Sequence, residues 1–248
     1  MGTSSSRSGQ NSRTGEQWSK AKHDTTSFAN GTGASAKEAL SSFASGMLDM
    51  YGRSSVTNGG DQISGLVATV GANLFDFISE LAEKGIDEAL QDHGLSELIG
   101  KPKNEIVAGI ADHFCSQTGL LDEAIVQNTV LDVLTELFEI DENQDNDPDE
   151  LNDKVISDNE VIDMLELFLV HYLQHIFMSE LGSCIDKMQG FTAEKARQKE
   201  AEIESVLRSY VHFRVENIDI TKFSWKTMQA QKLIDDSLKF VLLDIENE

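Results

Sequence analysis

Apolar positions in this chain return every three or four residues over most of its length, the spacing of helix faces rather than of strands. The clearest run is Ile63, Leu66, Val67, Val70, Leu74, Phe77, Ile78 and Leu81, which predicts an amphipathic helix that Asp61 can cap. Gly65 and Gly71 in this run either admit a neighbouring helix closely or are tolerated at about 1 kcal/mol each. Gly85 interrupts the pattern, Ile86 to Leu90 resumes it, and Gly94 ends it again. The sequence GLSELIGKP reads as a turn of helix stopped by Gly100, with Pro102 placed to open the next helix. That helix is predicted over 104–115, with Ile106, Val107, Ile110 and Phe114 inward, and another follows over 121–140. A helix over 158–184, apolar on most sides, is the expected centre of the core. Amphipathic helices over 193–216 and 223–245 close the chain. No alternating Val/Ile/Thr strand pattern and no fixed-period repeat occurs, so the expected fold is all-α, an irregular multi-helix bundle.

The first quarter of the chain departs from this pattern. Residues 1–60 read as a flexible Gly/Ser-rich leader, disorder-prone over 1–33 and carrying the lone aromatics Trp18 and Phe28. A short docking helix near 35–50 presents Ala39, Leu40, Phe43, Met47 and Leu48, and GRSSVTNGG then breaks it. The remainder, 61–248, is the expected acidic all-α domain, with an acidic loop over 139–158 between its two halves.

Charge sharpens the division. The chain carries 20 Lys and Arg against 43 Asp and Glu, a net charge of −23. The leader through Asp61 holds 6 of the bases and 5 of the acids, so 14 and 38 fall in the rest. Such a body repels a phosphate backbone, which argues against direct nucleic-acid binding, and it can attract a basic partner surface or simply solvate helix faces. Cys115 and Cys184 lie far apart among apolar residues and read as buried thiols of a reducing cytosol, not a disulfide framework or zinc set. No apolar signal segment opens the chain. The most apolar window, Val161 to Met178, is interrupted by Asp163, Glu166, His171, Gln174 and His175, so it reads as a buried helix rather than a membrane span.

Little of the chain resembles catalytic equipment. Asp141, Asn143 and Asp145 place oxygens where an EF-hand loop begins, but Asn146 replaces the required glycine, Asn152 the bidentate glutamate, and Pro148 intrudes. His171 and His175 share a helix face at i and i+4 and could hold a metal, with Glu166 or Glu180 as a third ligand. Tyr172 stands where a zinc-protease motif needs glutamate, and the bland reading is two histidines at the rim of a buried helix. No phosphate-binding loop, dinucleotide glycine pattern or nucleophile elbow is present, which argues against an enzyme and implies no cofactor.

The N-terminus is chemically distinct. MGTSSS fits the pattern of N-myristoylation. Apart from any pattern, removal of Met1 leaves an unhindered glycine amine at Gly2 with a pKa near about 8, in part unprotonated and nucleophilic at neutral pH. A polar leader behind such an amine is suited to enter a narrow active site. An ordinary disordered terminus is the plain alternative.

MGTSSS, the Gly/Ser/Arg leader and the segments ISGLVATVGANLF, ISELAEKGIDEALQDHGLSELIGKPKNEIVAGIADHFC and TGLLDEAIVQNTVLDVLTEL together resemble the QatB family of bacterial Qat anti-phage defence operons. The likeness continues more loosely through LELFLVHYLQHIFMSELGSCI. It implies a cytoplasmic protein whose partners are a QueC-like enzyme of 7-deazapurine chemistry (QatC-type), an ATPase and a TatD-like nuclease. It further implies that Gly2 is an acceptor amine, joined to a deazaguanine by an amide, with Thr3, Ser4, Ser5 and Ser6 threading the partner's active site. Two other functions compete. The chain is a purely structural adaptor between defence subunits, or an acidic nucleic-acid mimic that occupies a basic channel. A metal enzyme built on His171 is a third.

Overall fold

The computed structural model describes residues 12–51, 65–115, 121–140, 156–216 and 228–247. Among the described residues there are nine α-helices, one 3₁₀ turn and no strand, in agreement with the all-α expectation. The helices are α1 Ser12–Asn30, α2 Ala36–Tyr51, α3 Gly65–Lys84, α4 Ile86–Asp92, α5 Lys103–Cys115, α6 Leu121–Leu137, α7 Asp158–Asp186, α8 Ala193–Val215 and α9 Met228–Glu246; the 3₁₀ turn is Ser96–Leu98. Asp61, the acidic loop's EF-like positions 141–152 and residues 223–227 of the last predicted helix lie outside the described residues.

Two compact units emerge from one chain. The first comprises 1–63, 177–206 and 239–248, and the second 64–176 and 207–238. Helices α7, α8 and α9 each contribute residues to both.

Of the stretch 1–33 expected to be disorder-prone, residues 1–11 lie outside the described residues, and the first unit corrects the expectation over 12–30, which form helix α1. Its inward stripe is Ala21, Thr25, Phe28 and Ala29, all buried and spaced by four, three and one. That is a helix face, but small residues supply half of it, so a hydropathy reading registers it weakly. Helix α2 answers with Ala39, Leu40, Phe43, Ala44, Met47 and Leu48, all buried. Phe43 is the joint of the unit: its ring lies 6.0 Å edge-on from Trp18 and 5.3 Å from Phe177 of α7. Helix α2 therefore packs within its own chain. It begins with a reciprocal cap, Ser35 N–H donating to Glu38 Oε2 at 2.7 Å and Glu38 N–H to Ser35 Oγ at 3.2 Å. Its outer side is tied to the chain's end, where Ser45 Oγ donates to the Glu246 carboxylate at 2.7 Å. Gln189 N–H donates to the Asn30 side chain at 2.7 Å, and the Lys199 ammonium lies 4.2 Å above the Phe28 ring.

The second unit is built on large apolar side chains. Phe75, Phe77, Leu74 and Ile78 of α3 and Phe168 of α7 are fully buried, each removing enough surface for roughly 1.5–3 kcal/mol. Gly71 settles one of the two readings of the α3 glycines. A Cβ there would lie 2.7 Å from Ile234 Cδ1 and 2.9 Å from the Phe168 ring, so α7 and α9 approach α3 closely at this point. Gly85, with φ of 83°, lets the chain turn from α3 into α4. Pro102 opens α5 as predicted, its carbonyl accepting the N–H groups of Glu105 and Ile106 at 2.9 and 3.1 Å. Helix α6 ends at Leu137 rather than Ile140, because Glu139 takes a left-handed conformation with φ of 52°. Ser157 and Glu160 cap the start of α7 reciprocally, as Ser35 and Glu38 do for α2.

By length and composition alone, Gly65–Lys84 and Glu160–Asp186 could each cross a bilayer, which the sequence reading of Val161 to Met178 did not expect. Their most apolar windows are 61% and 56% buried inside the protein, the way core helices read.

Candidate functional site

Gly2, Thr3, Ser4, Ser5 and Ser6 lie outside the described residues. Helix α1 is the first element described after them. Helix α1 begins at Ser12 and is held by the buried stripe that ends in Phe28 and Ala29. Further along α1, Lys20, Asp24 and Ser42 of α2 form a polar clasp: the Lys20 ammonium donates to Ser42 Oγ at 2.7 Å, and Ser42 donates to Asp24. Burial opposes the Asp24 charge, but hydrogen bonds from Ser42, His23 and Lys20 outweigh it and hold the carboxyl below its ordinary range.

The histidine pair is described in full. His171 and His175 do share a face of α7, their rings stacked at 6.3 Å between centroids. Their partners come from α6, not from the residues anticipated. His171 Nε2 is 2.9 Å from Glu136 Oε1 and His175 Nε2 is 2.6 Å from Asp132 Oδ2, while His171 Nδ1 is 3.8 Å from the same Asp132 oxygen. Glu166, anticipated as a third ligand, instead accepts a hydrogen bond from His212 at 2.9 Å, which raises the His212 pKa above its ordinary value. Glu180 is exposed. The pair therefore joins α7 to α6 through two hydrogen-bond contacts, His171 with Glu136 and His175 with Asp132.

A third cluster escaped the sequence reading. Asp76 and Glu80 stand one turn apart on α3, and His93 closes α4; one donor atom from each lies within 4.8 Å of the others. His93 Nε2 is 3.2 Å from Glu80 Oε2, and its ring is held edge-on by Phe77 at 5.4 Å and Phe114 at 5.8 Å. The Asp76/Glu80 half was visible as an i, i+4 pair. His93 was not, because its arrival depends on the turn at Gly85 that folds α4 back from α3.

Both cysteines are free; Cys115 is buried, and burial, with Glu123 and Asp112 nearby, pushes its thiol up to about 11. Cys184 is partly exposed rather than buried as expected.

Residues 62–242 match the family described as Qat anti-phage system associated protein QatB, and the chain belongs to that family. The match takes in α3 to most of α9 and begins after α2, so the leader and the first two helices fall outside it. No curated protein and no solved structure matches the chain.

Proposed function

We infer that this Qat component is a non-enzymatic cytoplasmic adaptor that presents the amine of Gly2, freed by removal of Met1, to a QueC-like partner enzyme. There the amine attacks an activated 7-deazaguanine carboxylate: the new bond is an amide, the activating group leaves, and the amine loses its proton. Thr3 to Ser6 thread the partner's active site, and the helical body docks on that enzyme and on the operon's ATPase.

The observation that supports this reading is that α1, the first described element of the chain, is held in the first unit by the buried side chains Ala21, Thr25, Phe28 and Ala29. Ten residues from Gly2 to Asn11 span at most about 33–36 Å fully extended, enough to cross a protein active-site channel from a fixed base. Docking of the body so near the terminus would convert a dilute encounter into an intramolecular one with millimolar effective concentration.

Position 2 tests it. Replacing Gly2 by a residue with a bulky side chain, or blocking removal of Met1, is expected to abolish both the adduct and phage protection while leaving the complex with the partner intact. A truncation lacking residues 2–10 that keeps complex and protection would establish the purely structural adaptor instead. The acid excess of the body favours one further reading, a nucleic-acid mimic. It predicts binding to a basic nuclease channel that weakens steeply with salt and maps to 136–166.

A further inference from the structure

We propose that Asp76, Glu80 and His93 form a binding site for one divalent first-row transition cation of the zinc type. The donor set is two carboxylate oxygens and one imidazole nitrogen, which suits zinc, manganese or iron better than the all-oxygen preference of calcium and magnesium. Among the described residues, this is the group of three such donors whose atoms converge within 4.8 Å. A tetrahedral ion at about 2.1 Å from its ligands sets them about 3.4 Å apart, so binding requires a short contraction rather than a rearrangement. The separation of His93 Nε2 from Glu80 Oε2, 3.2 Å, already meets that spacing.

Three features prepare the site. Asp76 and Glu80 leave the same face of α3, because residues four apart stack on a helix, and Glu80 is only 8% exposed. The His93 ring is wedged between Phe77 and Phe114, so its nitrogen is aimed at the carboxylates by packing rather than by the hydrogen bond alone. Lys84 contacts Glu80 at 3.5 Å but Asp92 at 2.6 Å, so its ammonium can remain on Asp92 when an ion takes the Glu80 oxygen. Three protein donors leave a fourth position for water. The His171/His175 cluster differs: its two close contacts use separate carboxylates, and Asp132 and Glu136 are 43% and 45% exposed. The proposal is independent of the Gly2 reading, since it rests on the family-matched part of the chain.

The test strips the full chain with chelator, titrates it with ZnCl2 by calorimetry, and counts bound metal by elemental mass spectrometry. Wild type is expected to take about one equivalent. Asp76→Asn and Glu80→Gln, which preserve volume and leave the ring wedge intact, should weaken binding by about tenfold or more. His93→Ala should abolish it, and a His171→Ala/His175→Ala protein should bind as wild type does. Circular dichroism on each variant separates lost ligation from lost fold. Wild type without Zn2+ uptake, carboxamide variants that bind like wild type, or loss confined to the His171/His175 variant would overturn the site. The three residues would then be an ion-pair cluster with Lys84.

Discussion

Helix α1 buries mostly small residues, Ala21, Thr25 and Ala29 beside Phe28, whereas α2 buries Leu40, Phe43, Met47 and Leu48 together with Ala39 and Ala44. Helix α3 and the first part of α7 instead bury Leu74, Phe75, Phe77, Ile78, Leu165, Phe168 and Leu169. The first pair is poor in acids and lies outside the family match, whereas the second set lies within it and belongs to the part that carries the acid excess. Both are helical, so the formation of α1 does not depend on a rich apolar face of its own. A narrow stripe of small residues lets backbones come close, and a few aromatic joints then anchor the pair. The difference matters for function because the proposed tether, Gly2 to Asn11, leads into the first helix of this pair.

Phe43→Ala should have the largest effect on this arrangement. It removes the ring shared by Trp18 and Phe177, and about 3–5 kcal/mol of unfolding free energy should be lost in a urea titration. A loss under about 1 kcal/mol would mean that the first pair is not a packed part of the fold. Gly71→Ala probes the second set. Helix propensity alone would make it stabilising by about 1 kcal/mol. The Ile234 and Phe168 atoms at 2.7 and 2.9 Å are themselves fully buried and have nowhere to move, so overpacking of about 1–3 kcal/mol should win and the melting temperature should fall. The smallest change is Thr25→Val. Thr25 Oγ1 is buried without a hydrogen-bond partner among the described residues, so replacing the hydroxyl by a methyl should stabilise by about 1 kcal/mol.

Much of the second set was legible because large apolar residues mark a helical period without ambiguity; the starts at 103 and 121 and the breaks at Gly85 and Gly100 follow from it. Helix α1 was hidden for a physical reason. Ala and Thr contribute little to a hydropathy pattern, and Ser, Gly and Asn around them carry the composition of a disordered segment. A second signal was present and not used: S-x-x-E at Ser35 and again at Ser157 is the spacing of a reciprocal cap, and both form. The ion clusters were half legible. Spacing shows which residues share a helix face, as for His171 with His175 and Asp76 with Glu80. It does not show which face comes opposite, so Asp132, Glu136 and His93 could be found only in the folded chain.

The central claim concerns the amine of Gly2, and intact mass spectrometry addresses it without intermediaries. The full chain would be co-expressed with its active QueC-like partner, purified, weighed whole, and its N-terminal peptide fragmented. The account predicts loss of Met1 and an added deazaguanine mass carried on Gly2, absent when the partner is catalytically dead. A chain that leaves an active partner with Gly2 unmodified contradicts it.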